Sequence, residues 1–379
     1  MDWIRRYTEK EILSKKLVKG KVFVMYGARR TGKTSMIRHF MDTQGGRLFS
    51  GTGDDLPLRE ILSSQNIKTI TSVFQNYDLI FIDEAQRIPE IGMGLKILVD
   101  AFPQSKIIVT GSSSFELSGQ IGEPLTGRQS VSVLYPLSSI ELAEQFGNYH
   151  VFETINHQLI YGAYPEVITT DDLKEKQEYL VTLRNSHLFK DILELENLKN
   201  SVKLTELLKL LSFQIGNEVS LSELSNALGI ARQTVERYLD LLEKVFIIKR
   251  IGGFSRNLRK EIVKTARYYF FDNGVRNALI SNFNDANTRM DMGMLWENFC
   301  VMERLKKQEY HAIYANNYFW RTYDRQEIDF VEEREGSLFG YEFKWNSRKK
   351  VKAPKAWITT YENASFECIT PKNFLEFVL

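Results

Sequence analysis

Cysteine is scarce in this chain of 379 residues, which has only Cys300 and Cys368. Two thiols exclude a disulfide framework and a four-cysteine zinc site. No apolar run approaches the ~18 residues of a membrane-spanning helix. Internal repeats and low-complexity segments are missing as well. So is a charge excess. Lys and Arg number 50 against 48 Asp and Glu, for a formal net charge of +2. The chain as a whole is no polycation, and a nucleic-acid surface would need local clustering. Met1-Asp-Trp-Ile-Arg-Arg6 lacks the apolar core of a signal peptide. The expectation is a globular cytoplasmic protein of two or three domains, with no membrane partner.

What is present centres on Gly27-Ala-Arg-Arg-Thr-Gly-Lys-Thr34. This is G-x-x-x-x-G-K-T, a phosphate-cradling loop between an apolar strand (Lys21 to Tyr26) and a helix start (Ser35 to Met41). Gly27 and Gly32 remove Cβ where backbone must curl around phosphate. The loop N–H groups of Arg30, Thr31, Gly32 and Ser35 face the anion at a helix N-terminus. Lys33 neutralises charge at the β/γ-phosphates, and the Thr34 hydroxyl ligates Mg²⁺. Asp78-Leu-Ile-Phe-Ile-Asp83-Glu84 is the matching second motif, an apolar strand ending in two carboxylates. Asp83 would hold Mg²⁺ and Glu84 would polarise the attacking water. ATP and Mg²⁺ are the expected cofactors.

Strand-like runs at 46–50, 78–83, 106–110 and 131–134 alternate with helical ones at 56–65 and 92–101, while 67–74 is ambiguous. Residues 1–20 read as one helix. The pattern predicts a parallel sheet with helices on both faces. Ligands of such sheets bind at the carboxyl ends of the strands, where Gly27, Asp83 and Ser112 fall. Ser112 opens the serine-rich turn 112–114 and could orient water or touch the γ-phosphate. Arg128, beside a flexible loop, could reach the γ-phosphate of a neighbouring subunit as an arginine finger. Residues 138–200 read as a helical lid, interrupted at Tyr161-Gly-Ala-Tyr-Pro165.

Farther on, Leu204 to Ile215, a helix opened by Ser220-Leu-Ser-Glu223 and closed by Gly229, and Arg232 to Lys244 give a helix-turn-helix plan. Residues 245–250 and 267–271 could pair as a wing. Between Ile247 and Arg267 lie seven Lys/Arg and one acidic residue. Arg232, Gln233, Thr234 and Arg237 would then meet double-stranded DNA. Strand alternation next places Asp329, Glu342 and Lys344 on one face, with Glu297 nearby on a helix. Glu297, Asp329 and Glu342 suit Mg²⁺, a hard ion preferring oxygen, and Lys344 could position or deprotonate water. From Phe343 to Lys355 there are six Lys/Arg and no acidic residue, which suits a phosphate-rich partner.

Taken together, these stretches resemble the prokaryotic P-loop ATPases of AAA/STAND-like type whose C-terminal half is a domain of unknown function with a nuclease-like core. The carriers are residues 27–34, Phe81-Ile-Asp-Glu-Ala-Gln86, Thr110-Gly-Ser-Ser113, Leu125-Thr-Gly-Arg128, Tyr161-Gly-Ala-Tyr-Pro165, Ser255-Arg-Asn257, Tyr269-Phe-Phe-Asp272, Trp296-Glu-Asn298, Trp320-Arg321, Glu327-Ile-Asp-Phe330 and Glu342-Phe-Lys344. Ala28 stands where that family often has Pro, and Ala163 where it has Gly. The resemblance implies ATP binding, slow hydrolysis, a winged helix and a restriction-endonuclease-like end. The expected fold is α/β: an AAA-like P-loop core over 1–137, a helical lid over 138–200, a winged helix over 201–290 and a mixed α/β D…E-x-K domain over 291–379. Two functions fit. One is an ATPase that couples nucleotide state to DNA, as a homo-oligomer if Arg128 acts between subunits. The other is a STAND-like switch whose C-terminal domain binds without cleaving.

Overall fold

Val22–Tyr26 (β1) is Val-Phe-Val-Met-Tyr, and all five residues are buried. A strand apolar at every position belongs inside a sheet covered on both faces. In the computed structural model, β1 lies between Lys106–Thr110 (β4) and Gln129–Val133 (β5). Leu79–Asp83 (β3) and Leu48–Thr52 (β2) complete the order β2-β3-β4-β1-β5, with every pairing parallel. Alternate residues feed opposite cores. Val22, Val24, Ile80, Ile82 and Val109 pack on one side, and Phe23, Met25, Phe81 and Ile108 on the other. The structure describes residues 3–112, 121–122, 124–185, 201–256, 265–346 and 351–379. Ser113, Ser114, Asn257, most of the basic loop and the Lys/Arg cluster at 348–350 lie outside them.

The helices fall close to their expected places. The ambiguous stretch forms helix Ile67–Phe74, because Asn66 accepts a hydrogen bond from Thr69 N and Ile70 and Phe74 bury one face. The single helix read over 1–20 is instead a π-helical turn, Thr8–Ile12, running into Leu13–Lys16. Just before it, the Arg6 side chain reaches into the phosphate loop.

Helices Ser139–Phe146, Asn148–Glu153, Ile155–Tyr161, Pro165–Thr169 and Leu173–Leu183 follow. Gly162, at φ 75, lies against the Asp272 carboxylate, where a Cβ would come within 2.0 Å of Oδ1. Asp272 accepts from Ala163 N (2.7 Å) and caps its own helix through Val275 N. The Tyr161-to-Pro165 and Tyr269-to-Asp272 stretches are therefore two halves of one buried turn. Burial pushes the Asp272 carboxyl upward, against the pull of these backbone donors.

Helices Ser201–Ser212, Leu221–Leu228 and Arg232–Lys244 precede two paired strands, Ile248–Gly253 (β7) and Ala266–Phe270 (β8). Those strands do not stand alone. With Glu218–Val219 (β6), Asn316–Arg321 (β9), Glu327–Arg334 (β10), Ser337–Phe343 (β11) and Ala364–Ile369 (β12), they form one mixed sheet. Its order is β12-β11-β10-β9-β7-β8-β6, so it runs unbroken across residue 290. The helix Met292–Tyr310 is buried along most of its length. Asn298 ties it to the sheet, accepting from Phe270 N and donating to Phe270 O.

Candidate functional site

The phosphate loop owes its shape to two glycines. Gly27 sits at φ 148, and a Cβ there would lie 2.3 Å from Leu134 O. Gly32, at φ 94, precedes the helix Lys33–Asp42. Thr31 Oγ1 donates to Ala28 O (2.9 Å) inside the turn. Lys33 Nζ donates to Gly27 O (2.8 Å) and Ala28 O (2.9 Å), so its ammonium lies within the loop.

The second motif meets the first. Asp83 Oδ2 accepts from Thr34 Oγ1 (2.7 Å), and Oδ1 accepts from Glu84 N (3.1 Å) and the Thr110 hydroxyl. Hydroxyl and carboxylate oxygens side by side are the donor set a hard cation takes, so Thr34 and Asp83 fit Mg²⁺. Glu84 occupies the left-handed region at φ 48. Its carboxylate accepts from Gln86 Nε2, which also donates to Ser112 Oγ (3.2 Å). Gly27, Lys33, Thr34, Asp83, Glu84 and Ser112 thus gather at the carboxyl ends of β1, β3 and β4. Thr110, the last residue of β4, was read from the sequence as part of a motif but not as a partner of Asp83.

A cavity of about 450 Å³ opens beside the loop. Arg30, Thr31, Gly32 and Ser35 line one side, Trp3, Ile4 and Leu137 another, and Pro165, Glu166 and Thr169 a third. Arg128 lies elsewhere. Its carbonyl accepts from Val22 N at the start of β1, and its guanidinium pairs with Asp100. That is the far end of the sheet from its own phosphate loop.

Arg6 was not foreseen. It is 3% exposed. Nη1 donates to Thr31 O (2.6 Å), Nη2 to Tyr135 O (2.6 Å) and Nε to Glu141 Oε1 (2.9 Å). Glu141 also accepts from Tyr7 N (2.9 Å) and Ser138 N (2.8 Å). Ser138-x-x-Glu141 is a capping box, and that spacing is the one sequence trace of the arrangement. Next to it, Ser139 N donates to Glu303 Oε2 (2.5 Å), and Lys306 Nζ donates to Leu137 O (3.0 Å) and Glu303 Oε1 (2.5 Å). A buried polar chain therefore runs from the phosphate loop to the helix Met292–Tyr310.

The four C-terminal candidates also come together. Lys344 Nζ is 2.6 Å from Glu342 Oε1. Asp329 Oδ2 accepts from Phe343 N (3.0 Å), and Glu297 Oε1 accepts from Tyr269 OH (2.8 Å). Their shared neighbour is Arg267, 3.3 Å from Asp329 Oδ1 and 3.6 Å from Glu297 Oε1. Burial, then the charge of Asp329, pushes the Glu297 carboxyl well upward, and the same two causes raise Glu342. Burial works against the Arg267 charge, but Tyr269, Glu297 and Asp329 outweigh it and raise its pKa. Among the described residues, no group of three or more His, Cys, Asp or Glu is placed to hold a metal ion. The metal assignment of Glu297, Asp329 and Glu342 meets an arginine instead.

On the Arg232–Lys244 helix, Arg232 is exposed and pairs with Glu236, and Lys244 pairs with Asp240. No described helix is long and apolar enough to cross a membrane.

Three family models match consecutive stretches: an AAA domain over residues 19–143, a domain of unknown function (DUF8612) over 152–286 and another (DUF4143) over 292–372. An uncharacterized protein of Methanocaldococcus jannaschii is 26% identical over 401 residues, covering 94% of this chain and 85% of that one. An uncharacterized protein of Mycobacterium tuberculosis is 26% identical over 278 residues, covering 72% of this chain and 60% of that one. The STAND signal-transduction ATPase with a tetratricopeptide repeat sensor from Pyrococcus horikoshii covers 81% of this chain and 46% of that one, at 16% identity and a TM-score of 0.29. Cdc6p from Pyrobaculum aerophilum covers 74% and 96%, at 14% identity and a TM-score of 0.26. Scores that low carry no weight for fold or function. The parallel sheet, its loop and the AAA-domain match together make the N-terminal part an AAA-type P-loop fold.

Proposed function

We propose that this protein is an Mg²⁺-dependent ATPase whose nucleotide state sets how its helical and C-terminal parts meet a partner. The observation that carries the reading is the meeting of Lys33 and Thr34 with Asp83 and Glu84 at one end of the sheet. Lys33 exchanges the carbonyls of Gly27 and Ala28 for the β/γ-phosphates. Thr34 and Asp83 would hold Mg²⁺, which when bound neutralises phosphate charge. Glu84 orients the attacking water, and Gln86 fixes Glu84 relative to Ser112. The 450 Å³ cavity takes the nucleoside, so Pro165 to Thr169 close over it as a lid. Arg128, at the far end of the sheet, serves only a neighbouring copy, so its finger role requires a homo-oligomer.

Double-stranded DNA is the partner that Arg232, Gln233, Thr234 and Arg237 suit, read as the start of a winged-helix recognition helix. These residues would reach base edges or phosphates, and the arginine-phosphate part of such binding should weaken with salt. The regulatory-switch reading, with a C-terminal module that does not cleave, is favoured by Arg267 among the carboxylates.

Calorimetry with MgATP and a phosphate-release assay, on wild type and Lys33→Ala, test the common base. Wild type should bind and turn over slowly, and Lys33→Ala should lose both. Equal heats for the two proteins would end the reading. Salt-insensitive or undetectable duplex binding, unchanged in Arg232→Ala/Arg237→Ala, would remove the DNA part alone.

A further inference from the structure

The acidic cluster of the C-terminal sheet already contains a cation, and that cation belongs to the chain. Arg267 stands on β8, and β7 and β9 separate β8 from β10. Its side chain therefore reaches across the sheet face, with the guanidinium 4.8 Å from the centre of the Phe319 ring on β9. Nη1 meets Asp329 Oδ1 at 3.3 Å and Glu297 Oε1 at 3.6 Å, and Nη2 meets Glu327 Oε2 at 3.4 Å. The Arg267 side chain is 4% exposed and that of Asp329 9%, so water screens this pair little, whereas Glu327 is half exposed. Other donors share these carboxylates. Asp329 Oδ2 takes Phe343 N, Glu297 takes the Tyr269 hydroxyl, and Glu342 takes Lys344.

We propose that Arg267 takes the place of a divalent metal in this cluster, which makes the C-terminal domain a metal-independent module. A divalent ion binds carboxylate oxygens directly at ~2.0–2.6 Å. It cannot share Asp329 and Glu297 with a guanidinium already hydrogen-bonded to the first and 3.6 Å from the second. Displacing the arginine from these carboxylates would strip a buried charge of its partners, which is strongly destabilising. Arginine suits the position because its charge is permanent and its planar fork reaches several carboxylates at once. The pairing also crosses a module boundary. Arg267 lies in the stretch matched by DUF8612, whereas Glu297, Glu327 and Asp329 lie in the one matched by DUF4143. An ion pair thus joins the two modules at the place where the D…E-x-K pattern would put catalysis.

The test is Mn²⁺ binding followed by electron paramagnetic resonance on the full chain without nucleotide. Every protein carries Asp83→Asn to silence the phosphate-loop site, so failure here is separable from failure of the ATPase reading. The chain with native Arg267 should show no Mn²⁺ binding that depends on Asp329. Arg267→Met, which keeps the apolar stem and removes the charge, should gain binding at least tenfold, and adding Asp329→Asn should abolish the gain. Stoichiometric Mn²⁺ binding with Arg267 in place, lost in Asp329→Asn and Glu342→Gln, would overturn the proposal. A folded Arg267→Met protein that still ignores Mn²⁺ would overturn it as well. Should Arg267→Met not fold, the comparison of native Arg267 with Asp329→Asn decides.

Discussion

Replacing Glu141 by alanine tests whether the phosphate loop is held from behind. Its carboxylate is wholly buried and accepts from Arg6 Nε, Tyr7 N and Ser138 N at 2.8–2.9 Å. The substitution strands the Arg6 guanidinium, whose side chain is 4% exposed, among neutral partners such as the carbonyls of Thr31 and Tyr135. Removing one partner of a buried ion pair costs about 3–5 kcal/mol, because the other charge stays buried. Two orphaned backbone donors add to this, though not additively. Total stabilities of ~5–15 kcal/mol are usual, so Glu141→Ala should lose a large share of the whole. Glu141→Gln keeps the shape and should lose less. The assay is urea denaturation of wild type, Arg6→Ala, Glu141→Ala and the double variant. The double-mutant cycle should give a coupling above about 1.5 kcal/mol, since hydrogen bonds to charged groups contribute ~1.5–3 kcal/mol. Hydrogen exchange should also show faster opening of residues 27–34 in Glu141→Ala, because Arg6 anchors Thr31. A loss under about 1 kcal/mol with zero coupling would refute the reasoning.

Three further outcomes follow from the same structure. Gly27→Ala should lower Tm and weaken MgATP binding together, since a side chain at φ 148 costs about 1–3 kcal/mol in strain and its Cβ would meet Leu134 O. A Tm equal to wild type by calorimetry would contradict that. Asn298→Ala should cost about 2–4 kcal/mol by leaving both the N–H and C=O of Phe270 without a partner, a loss read from urea midpoints. Burial alone would raise the Asp291 carboxyl, but hydrogen bonds from Arg289 and Arg276 win and hold it at about 2, below its ordinary 3.8. A depressed carboxyl stabilises the fold above its unfolded pKa and loses that contribution as pH falls through the folded one. Urea midpoints for wild type should therefore fall between about pH 4 and pH 2, and Asp291→Asn should flatten that limb. Parallel limbs would show that Asp291 is not involved.

The sequence alone determined the N-terminal sheet and the loop and carboxylate motifs at its edge. Each feature there is local. A five-residue apolar strand, a glycine pair and a lysine-threonine pair lie within one strand-turn-helix unit, and the acidic pair ends its own strand. Period and spacing suffice to read such units, so β1, β3, β4, Lys33, Thr34, Asp83 and Glu84 were all legible. The helix-turn-helix spacing and the gathering of Asp329, Glu342 and Lys344 were legible for the same reason. The tertiary structure decided what fills the space between units. Arg6 and Glu141 are 135 positions apart, and Arg267 and Asp329 are 62 apart. No local pattern records such a pairing. Residues 245–250 and 267–271 read as the paired strands of a wing, because edge strands look alike whether they end a sheet or continue it. Their union with β9 to β12, and the arginine it brings among the carboxylates, came only from packing. Buried charges settle where an opposite charge is within reach, and folding alone brings these partners together.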